Sequence, residues 1–416
     1  MSTEVLSRQA LNRALLDRQM LLRRVPAPAP PGRTGQVIEA GRTGRVIEAE
    51  AGRTGQVIEA GRTGRVIEAE AGRTGRVIEM VEHLVGLQAQ APFPPYYGLW
   101  SRLEDFRPDE LARLITGRQV VRIALMRGTI LLVSAGDCLT LRPLMQPVLD
   151  RALATTFGRQ LAGVDTQALA AAGRAFAEEE PRTFSELGAL LSRQWPDHPA
   201  AALAQGVRGL VPLVQVPPRA VWGAAGQARH TSAESWLGRP LSRSASLDSL
   251  VRRYLAAFGP ASVLDVQAWS GLTRLREVAE RLRPGLRTFR DENGTELLDL
   301  PEAPRPDPDV PAPVRLVAEF DNLVLSHADR SRVISHENRK RLFSRNAVFP
   351  GTVLVNGFAA AMWRIARSAG AVTLTVEPFG KISGKARDEI TDEGRRILAF
   401  AAPDATAHDV IFASLR

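Results

Sequence analysis

Residues 246–300 read SLDSLVRRYLAAFGPASVLDVQAWSGLTRLREVAERLRPGLRTFRDENGTELLDL. Ser246 stands before an apolar stripe that predicts a helix over Leu247–Phe258, and Ser262–Ser270 and Thr273–Leu282 read as two more. Leu286–Phe289 and Thr295–Leu300 alternate like strands across Asp291-Glu292-Asn293-Gly294. Asn-Gly is the strongest short hairpin signal, because both turn positions need positive φ. Three helices closed by a β-hairpin make the winged-helix arrangement, a helix-turn-helix variant whose hairpin is the wing.

The same theme recurs upstream. Residues 152–240 carry helix signals at Thr166–Ala177, Thr183–Trp195 and Ala200–Gly209, then strand signals at Val211–Val216 and Ala220–Ala224 around Pro217-Pro218. Thr183 reads as an N-cap for the stripe Leu187, Leu190, Leu191. Residues 1–151 carry helices at Leu6–Arg24, Val77–Gln90 and Pro108–Thr116, with strands Gln119–Met126 and Gly128–Ser134 on either side of an Arg127-Gly128 turn. Downstream, a Pro/Asp-rich linker over 301–313 leads into residues 314–416, where Val314–Phe320, Thr352–Val355, Gly357–Ile365 and Ala371–Pro378 are strand-like and Ala386–Phe400 is an amphipathic closing helix. The expected class is α+β: three tandem winged-helix units (1–151, 152–240, 241–300), then a small β-rich domain (314–416).

One stretch stands outside this plan. From Gly32 to Glu79, nine- and eleven-residue units of the type GRTGQVIEA and GRTGRVIEAEA alternate. Each has only a Val-Ile pair to bury, too little for a solenoid core. Deleting Gly32–Ala71 would join a Pro-Ala linker directly to an amphipathic helix, so 32–71 reads as a tolerated surface insertion.

The composition is globular, with 44% hydrophobic and 24% charged residues in 416. No apolar run approaches the ~20 residues of a membrane-spanning helix, and MSTEVLSRQALNRALL lacks the apolar core of a secretory signal. Cys138 is the single cysteine, which excludes an internal disulfide and fits a reducing cytoplasm. Net charge is +9, and all but Lys340, Lys381 and Lys385 of the 54 basic residues are arginines. The sign of the charge favours a polyanionic partner, nucleic acid before membrane. The six histidines are dispersed and no Gly-rich phosphate loop is present, so neither metal nor cofactor is expected.

Three segments carry a family likeness: Val81-Glu82-His83-Leu84-Val85-Gly86-Leu87-Gln88-Ala89-Gln90-Ala91-Pro92, then Met126-Arg127-Gly128-Thr129, then Glu319-Phe320-Asp321-Asn322 through Ser326-His327-Ala328-Asp329-Arg330-Ser331-Arg332. In order and spacing they resemble the winged-helix DNA glycosylases of the AlkZ/YcaQ type, over most of the chain outside the repeat. The resemblance implies three tandem winged helices and a β-barrel-like C-terminal domain. It also implies hydrolysis of the N-glycosidic bond of bulky alkylated purines in double-stranded DNA, including natural-product adducts and interstrand crosslinks. The catalytic motif it implies is Gln-aliphatic-Gln, here Gln88 and Gln90, as in the AlkZ-like branch.

The chemistry suits two amides. A purine alkylated at N7 or N3 is cationic and leaves as a neutral base, so strong protonation of the leaving group is unnecessary. What remains is an oxocarbenium-like sugar and a water on its free face. A glutamine oxygen can accept from that water, and its NH₂ can donate to sugar or phosphate. On a continuous helix Gln88 and Gln90 would diverge by ~200°. Joint action therefore requires the helix to stop, and Ala91-Pro92-Phe93-Pro94-Pro95 is expected to stop it. Spacing alone leaves these open as ordinary polar residues at a helix C-terminus. His83 reads as a packing or hydrogen-bonding residue rather than a base.

The candidate DNA contacts are Tyr96 and Tyr97 for stacking, and Arg127, His327, Arg330, Arg332, Arg339, Lys340 and Arg341 for phosphates. Trp100, Trp222, Trp269 and Trp363 fall on apolar stripes and read as core. The competing reading is a non-catalytic winged-helix DNA-binding protein such as a regulator. Against it, Ala200–Gly209 holds only Arg208, and Thr273–Leu282 balances three arginines with Glu277 and Glu280. The expected enzyme is a cofactor-free, cytoplasmic, monomeric hydrolase.

Overall fold

A computed structural model of the chain describes residues 4–27, 72–342, 350–368 and 370–414. The Gly32–Ala71 repeat lies outside the described residues. β1 (Val5–Leu6) passes through Ser7, whose side chain accepts from the Ala10 N–H, into α1 (Arg8–Arg18). The helix stops well short of Arg24, and it packs also against elements far along the chain. Val5 and Leu6 pair in parallel with Arg290 and Asp291 of the third hairpin. The reason is polar: Asn12, Arg13, Arg18 and Gln19 are all buried, and each has a partner more than 200 residues away. Arg18 forms a bidentate pair with Asp299 at 2.7 and 2.8 Å, and Asn12 donates to the carbonyls of Arg332 and Gly357. Buried polar groups need such partners, and a helical stripe does not reveal where they are.

α2 (72–83) precedes β2 (Leu87–Gln88), α3 (Pro94–Trp100) and α4 (Pro108–Thr116). The hairpin β3 (Val120–Ala124) and β4 (Ile130–Ser134) follows, then α5 (Ala135–Leu144) and α6 (Gln146–Phe157). The middle helices are α7 (Thr166–Glu179), α8 (Phe184–Leu191) and α9 (Ala200–Leu210). Thr183 does cap α8, and the Glu186 side chain closes a capping box by accepting from the Thr183 N–H. β5 (Leu213–Val216) pairs with β6, which lies at Arg229–Ser232 rather than at Ala220–Ala224. The Pro217-Pro218 pair offers no N–H to a ladder, and Ala220 has φ 69, so the chain loops out before it can return.

α10 (Ala233–Leu237) leads to the third group: α11 (Leu247–Phe258), α12 (Val263–Ser270), α13 (Arg276–Leu282), β7 (Arg287–Asp291) and β8 (Glu296–Asp299). Ser246 and Ser262 are the N-caps of α11 and α12. The last region runs β9 (Arg315–Val317), α14 (Asn322–Leu325), α15 (His336–Leu342), β10 (Gly351–Val355), β11 (Phe358–Ser368), β12 (Ala371–Pro378), α16 (Gly384–Ala401) and β13 (Ala407–Phe412). The chain therefore closes on a strand, parallel to β12, and not on the amphipathic helix.

The fold is mixed α and β, built among the described residues on three sheets ordered β1-β7-β8, β13-β12-β11-β10-β9 and β2-β4-β3-β5-β6. The last carries Gln88. The hairpins read as separate wings of the first two units are strands of one sheet, joined where Arg122 faces Gln215 and Ile123 faces Val214. β2, with the first glutamine, is its edge.

Candidate active site

Helix α2 ends before the prolines. Val85 (φ 52) and Gly86 (φ 94) take left-handed backbone and turn the chain. A Cβ on Gly86 would stand 2.7 Å from a Val133 methyl, so only glycine fits. Residues 87 and 88 then pair antiparallel with Leu132 and Leu131 of β4. With Gln88 on a strand and Gln90 two residues beyond it, the ~200° divergence that a continuous helix would impose no longer applies. The proline run that was expected to break the helix starts α3 instead, with prolines at its first positions.

Both glutamine amides reach the tip of the β3–β4 hairpin. Gln88 is buried, and its Oε1 accepts from Arg127 Nη2 at 3.1 Å and from Thr129 Oγ1 at 3.3 Å. Gln90 is exposed, and its Oε1 accepts from the Ile130 N–H at 3.2 Å. Arg127, itself left-handed at φ 57, also donates to the Trp269 carbonyl of α12. Burial, and then the nearby Arg330 charge, push its guanidinium down to about 10.

The segment after β9 fixes this geometry from below. Asn322 Nδ2 donates to the Gly86 carbonyl at 3.0 Å. Asp321 caps α14 and forms a bidentate pair with Arg102 at 2.8 and 2.9 Å, both side chains being almost wholly buried. Arg102 in turn donates to the Gly98 carbonyl at the end of α3. Val85, Arg127 and Phe320 (φ 57) are non-glycine residues held left-handed around β2, and such strain gathers where a site over-determines its backbone.

A family model for AlkZ-like DNA glycosylases matches residues 81–400. The chain belongs to that family. The solved structure of Streptomyces sahachiroi DNA glycosylase AlkZ is similar, with a TM-score of 0.70 at 16% identity, covering 98% of this chain and 100% of that one. A search of curated proteins finds no match. The chain is thus a DNA glycosylase, an enzyme of DNA repair.

The other candidate residues of this glycosylase fall into two groups. Tyr96 is fully buried, donating to the Ala220 carbonyl and accepting from the Trp222 N–H, so it cannot stack on a base in this arrangement. Tyr97 is half-buried against the edges of Trp222, Trp363 and Phe400. The aromatic ring that sequence reasoning missed is Phe93, 37% exposed and edge-on to Trp222, three residues from Gln90. Its signal was its place in the loop, overlooked because the prolines around it were read only as helix breakers. Trp100, Trp269 and Trp363 are core, while Trp222 is half-buried.

Of the basic candidates, His327 and Arg332 are buried and face inward. His327 lies between Ser326 Oγ and the Phe258 carbonyl, and Arg332 donates to the Pro260 carbonyl. Neither presents a charge to a phosphate; with Asp265, which accepts from the Ala328 N–H, they fasten the third helix group to the C-terminal region. Arg341 is turned onto the Phe379 ring and carbonyl. Arg330 and Arg339 are half-buried, and Lys340 is exposed on α15. His83 bonds the Arg18 carbonyl at 2.6 Å, a packing role as expected. Among the described residues no three His, Cys, Asp or Glu side chains converge as a metal site would, and no helix is long and apolar enough to cross a membrane.

Burial pushes His327 down and takes His230 down to about 4. In the unfolded chain both regain an ordinary value near 6.5, so below that pH the unfolded state binds more protons than the native one. Their stabilisation is present above pH ~6.5 and is lost as the pH falls toward the native values. The urea midpoint should drop between pH 6.5 and 4.5, and His230→Gln should flatten that slope. A midpoint independent of pH in this range would refute the burial of neutral histidines.

Proposed function

We propose that this glycosylase hydrolyses the N-glycosidic bond of N7- or N3-alkylated purines in double-stranded DNA, with Gln88 and Gln90 placing the water and the sugar. One observation carries the reading: two amides brought to one hairpin by an extended strand, with their oxygens committed unequally. Both lone pairs of Gln88 Oε1 are engaged, by Arg127 and Thr129, so its NH₂ is oriented as a donor toward sugar or phosphate. Gln90 Oε1 has one bond, to Ile130, and keeps a lone pair for a water hydrogen. Neither amide is a base at neutral pH; their contribution is positioning. Each attachment of an interstrand crosslink through purine N7 is likewise a cationic base, so crosslinks and bulky adducts fall within the same chemistry.

Three helix groups, each followed by a hairpin, support reading the DNA-binding frame as tandem winged-helix units. Arg330, Arg339 and Lys340 then supply phosphate contacts. The test is incubation with a duplex bearing a single N7-alkylguanine, followed by alkali. Strand cleavage at that site supports the reading, and an intact strand defeats it.

Excision should proceed by water and not through a Schiff base. No lysine lies in residues 72–130, and the three in the chain are Lys340, Lys381 and Lys385. Borohydride added during turnover is expected to trap nothing; a covalent protein–DNA adduct would overturn the hydrolytic mechanism.

A further inference from the structure

Ala89 and Ile130 stand opposite each other where β2 leaves β4. In an antiparallel ladder such a pair exchanges two bonds. One is present: the Ala89 N–H donates to the Ile130 carbonyl at 2.8 Å. The reciprocal bond is replaced on both sides. The Ile130 N–H donates to Gln90 Oε1 at 3.2 Å, and the Ala89 carbonyl accepts instead from Arg122 Nη2 at 2.6 Å.

Arg122 is an odd occupant of its position. It sits in the centre of β3, 2% exposed, in register with Leu132 and Gln215. Among the described residues no carboxylate pairs with it, and its Nε and Nη1 have no hydrogen-bond partner. The charged or titratable groups that bear on it are Arg219, a like charge, Tyr96 and His230. Burying an unpaired cation is costly, and an apolar residue would serve a central strand better. A rule broken in this way, one residue from both glutamines, marks a functional constraint.

We propose that Arg122 is the positioning residue for Gln90. By holding the Ala89 carbonyl away from the ladder, it leaves the Ile130 N–H as the donor that orients the Gln90 amide. Without Arg122 the Ala89 carbonyl recaptures Ile130, and Gln90 is set loose. This rests on the reading of Gln90 as a holder of water.

The experiment is a double-mutant cycle of Arg122→Met and Gln90→Ala, with single-turnover excision, DNA affinity and melting temperature measured on the full chain. Arg122→Met is expected to slow excision about 10–100-fold through lost positioning, with affinity within about twofold and melting unchanged or raised. Gln90→Ala added to it should cost little more, because the two act as a unit. Arg122→Lys, which keeps a donor for Ala89, should lose less than Arg122→Met. In protein labelled with 15N-isoleucine, Gln90→Ala should move the Ile130 amide resonance in the wild-type background and in Arg122→Lys, but not in Arg122→Met. Wild-type excision by Arg122→Met, multiplying losses in the cycle, or an Ile130 resonance that ignores Gln90 would each overturn the inference. If the wild-type protein itself releases no alkylated purine, the functional reading fails, and the Ile130 resonance still decides the arrangement. If Arg122→Met does not fold, Arg122→Lys and the resonance in wild type decide it.

Discussion

Gln88→Ala and Gln90→Ala are each expected to lower single-turnover excision of an N7-alkylpurine, Gln88→Ala by about 10²–10³-fold, the usual effect of removing one oriented polar group from a transition state. Gln88 carries the larger effect because its amide is locked by two donors and is already aimed, whereas exposed Gln90 has a single bond to Ile130. The fold should survive both changes. Arg127 keeps its bond to the Trp269 carbonyl, so removing the Gln88 amide costs stability of only about 1–3 kcal/mol for the donors left behind. The check is the excision rate against melting temperature for each variant. If both excise at the wild-type rate, the glutamines are not the catalytic pair.

The largest loss of stability is expected at Asp321→Ala. It leaves the Arg102 guanidinium buried without its bidentate carboxylate, and breaking one side of a buried pair costs about 3–5 kcal/mol. The same change strips the N-cap of α14, whose Leu323 N–H donates to Asp321, adding about 0.5–2 kcal/mol. Asp321→Asn keeps an acceptor for both groups and should lose clearly less. Urea unfolding followed by tryptophan fluorescence measures it; a loss under about 1 kcal/mol for the alanine variant would mean that Arg102 finds another partner. Excision should fall as well, since Asn322 next door holds the Gly86 carbonyl that turns the chain into β2.

The glutamine pair and Asp321 illustrate different kinds of legibility. Gln88 and Gln90 were readable as a candidate site because their stretch is distinctive and carries a family likeness. Asp321 was readable only as part of that likeness; that it secures Arg102, 219 residues away, was not. His327 and Arg332 were read as phosphate contacts because a basic residue in a polar segment has a solvated face by default. Their burial depends on carbonyls at Phe258 and Pro260 that no local pattern announces.

What the sequence alone determined is the set of local choices. Thr183, Ser246 and Ser262 cap the helices they precede, and Asn293-Gly294 closes a hairpin. The α+β class and the glutamine pair follow from the order of elements and from one twelve-residue stretch. These are legible because a cap, a turn and an apolar stripe act within a few residues of themselves. Only the tertiary structure decided the rest: that α1 belongs with the third hairpin and the C-terminal region, that two hairpins form one sheet, and that Leu87 and Gln88 are a strand rather than the end of a helix. A stripe tells a helix which face to bury but not against what, and a strand edge records no partner. Those pairings are set by long-range polar matches such as Arg18–Asp299 and by the single ladder that Arg122 and Gln215 share.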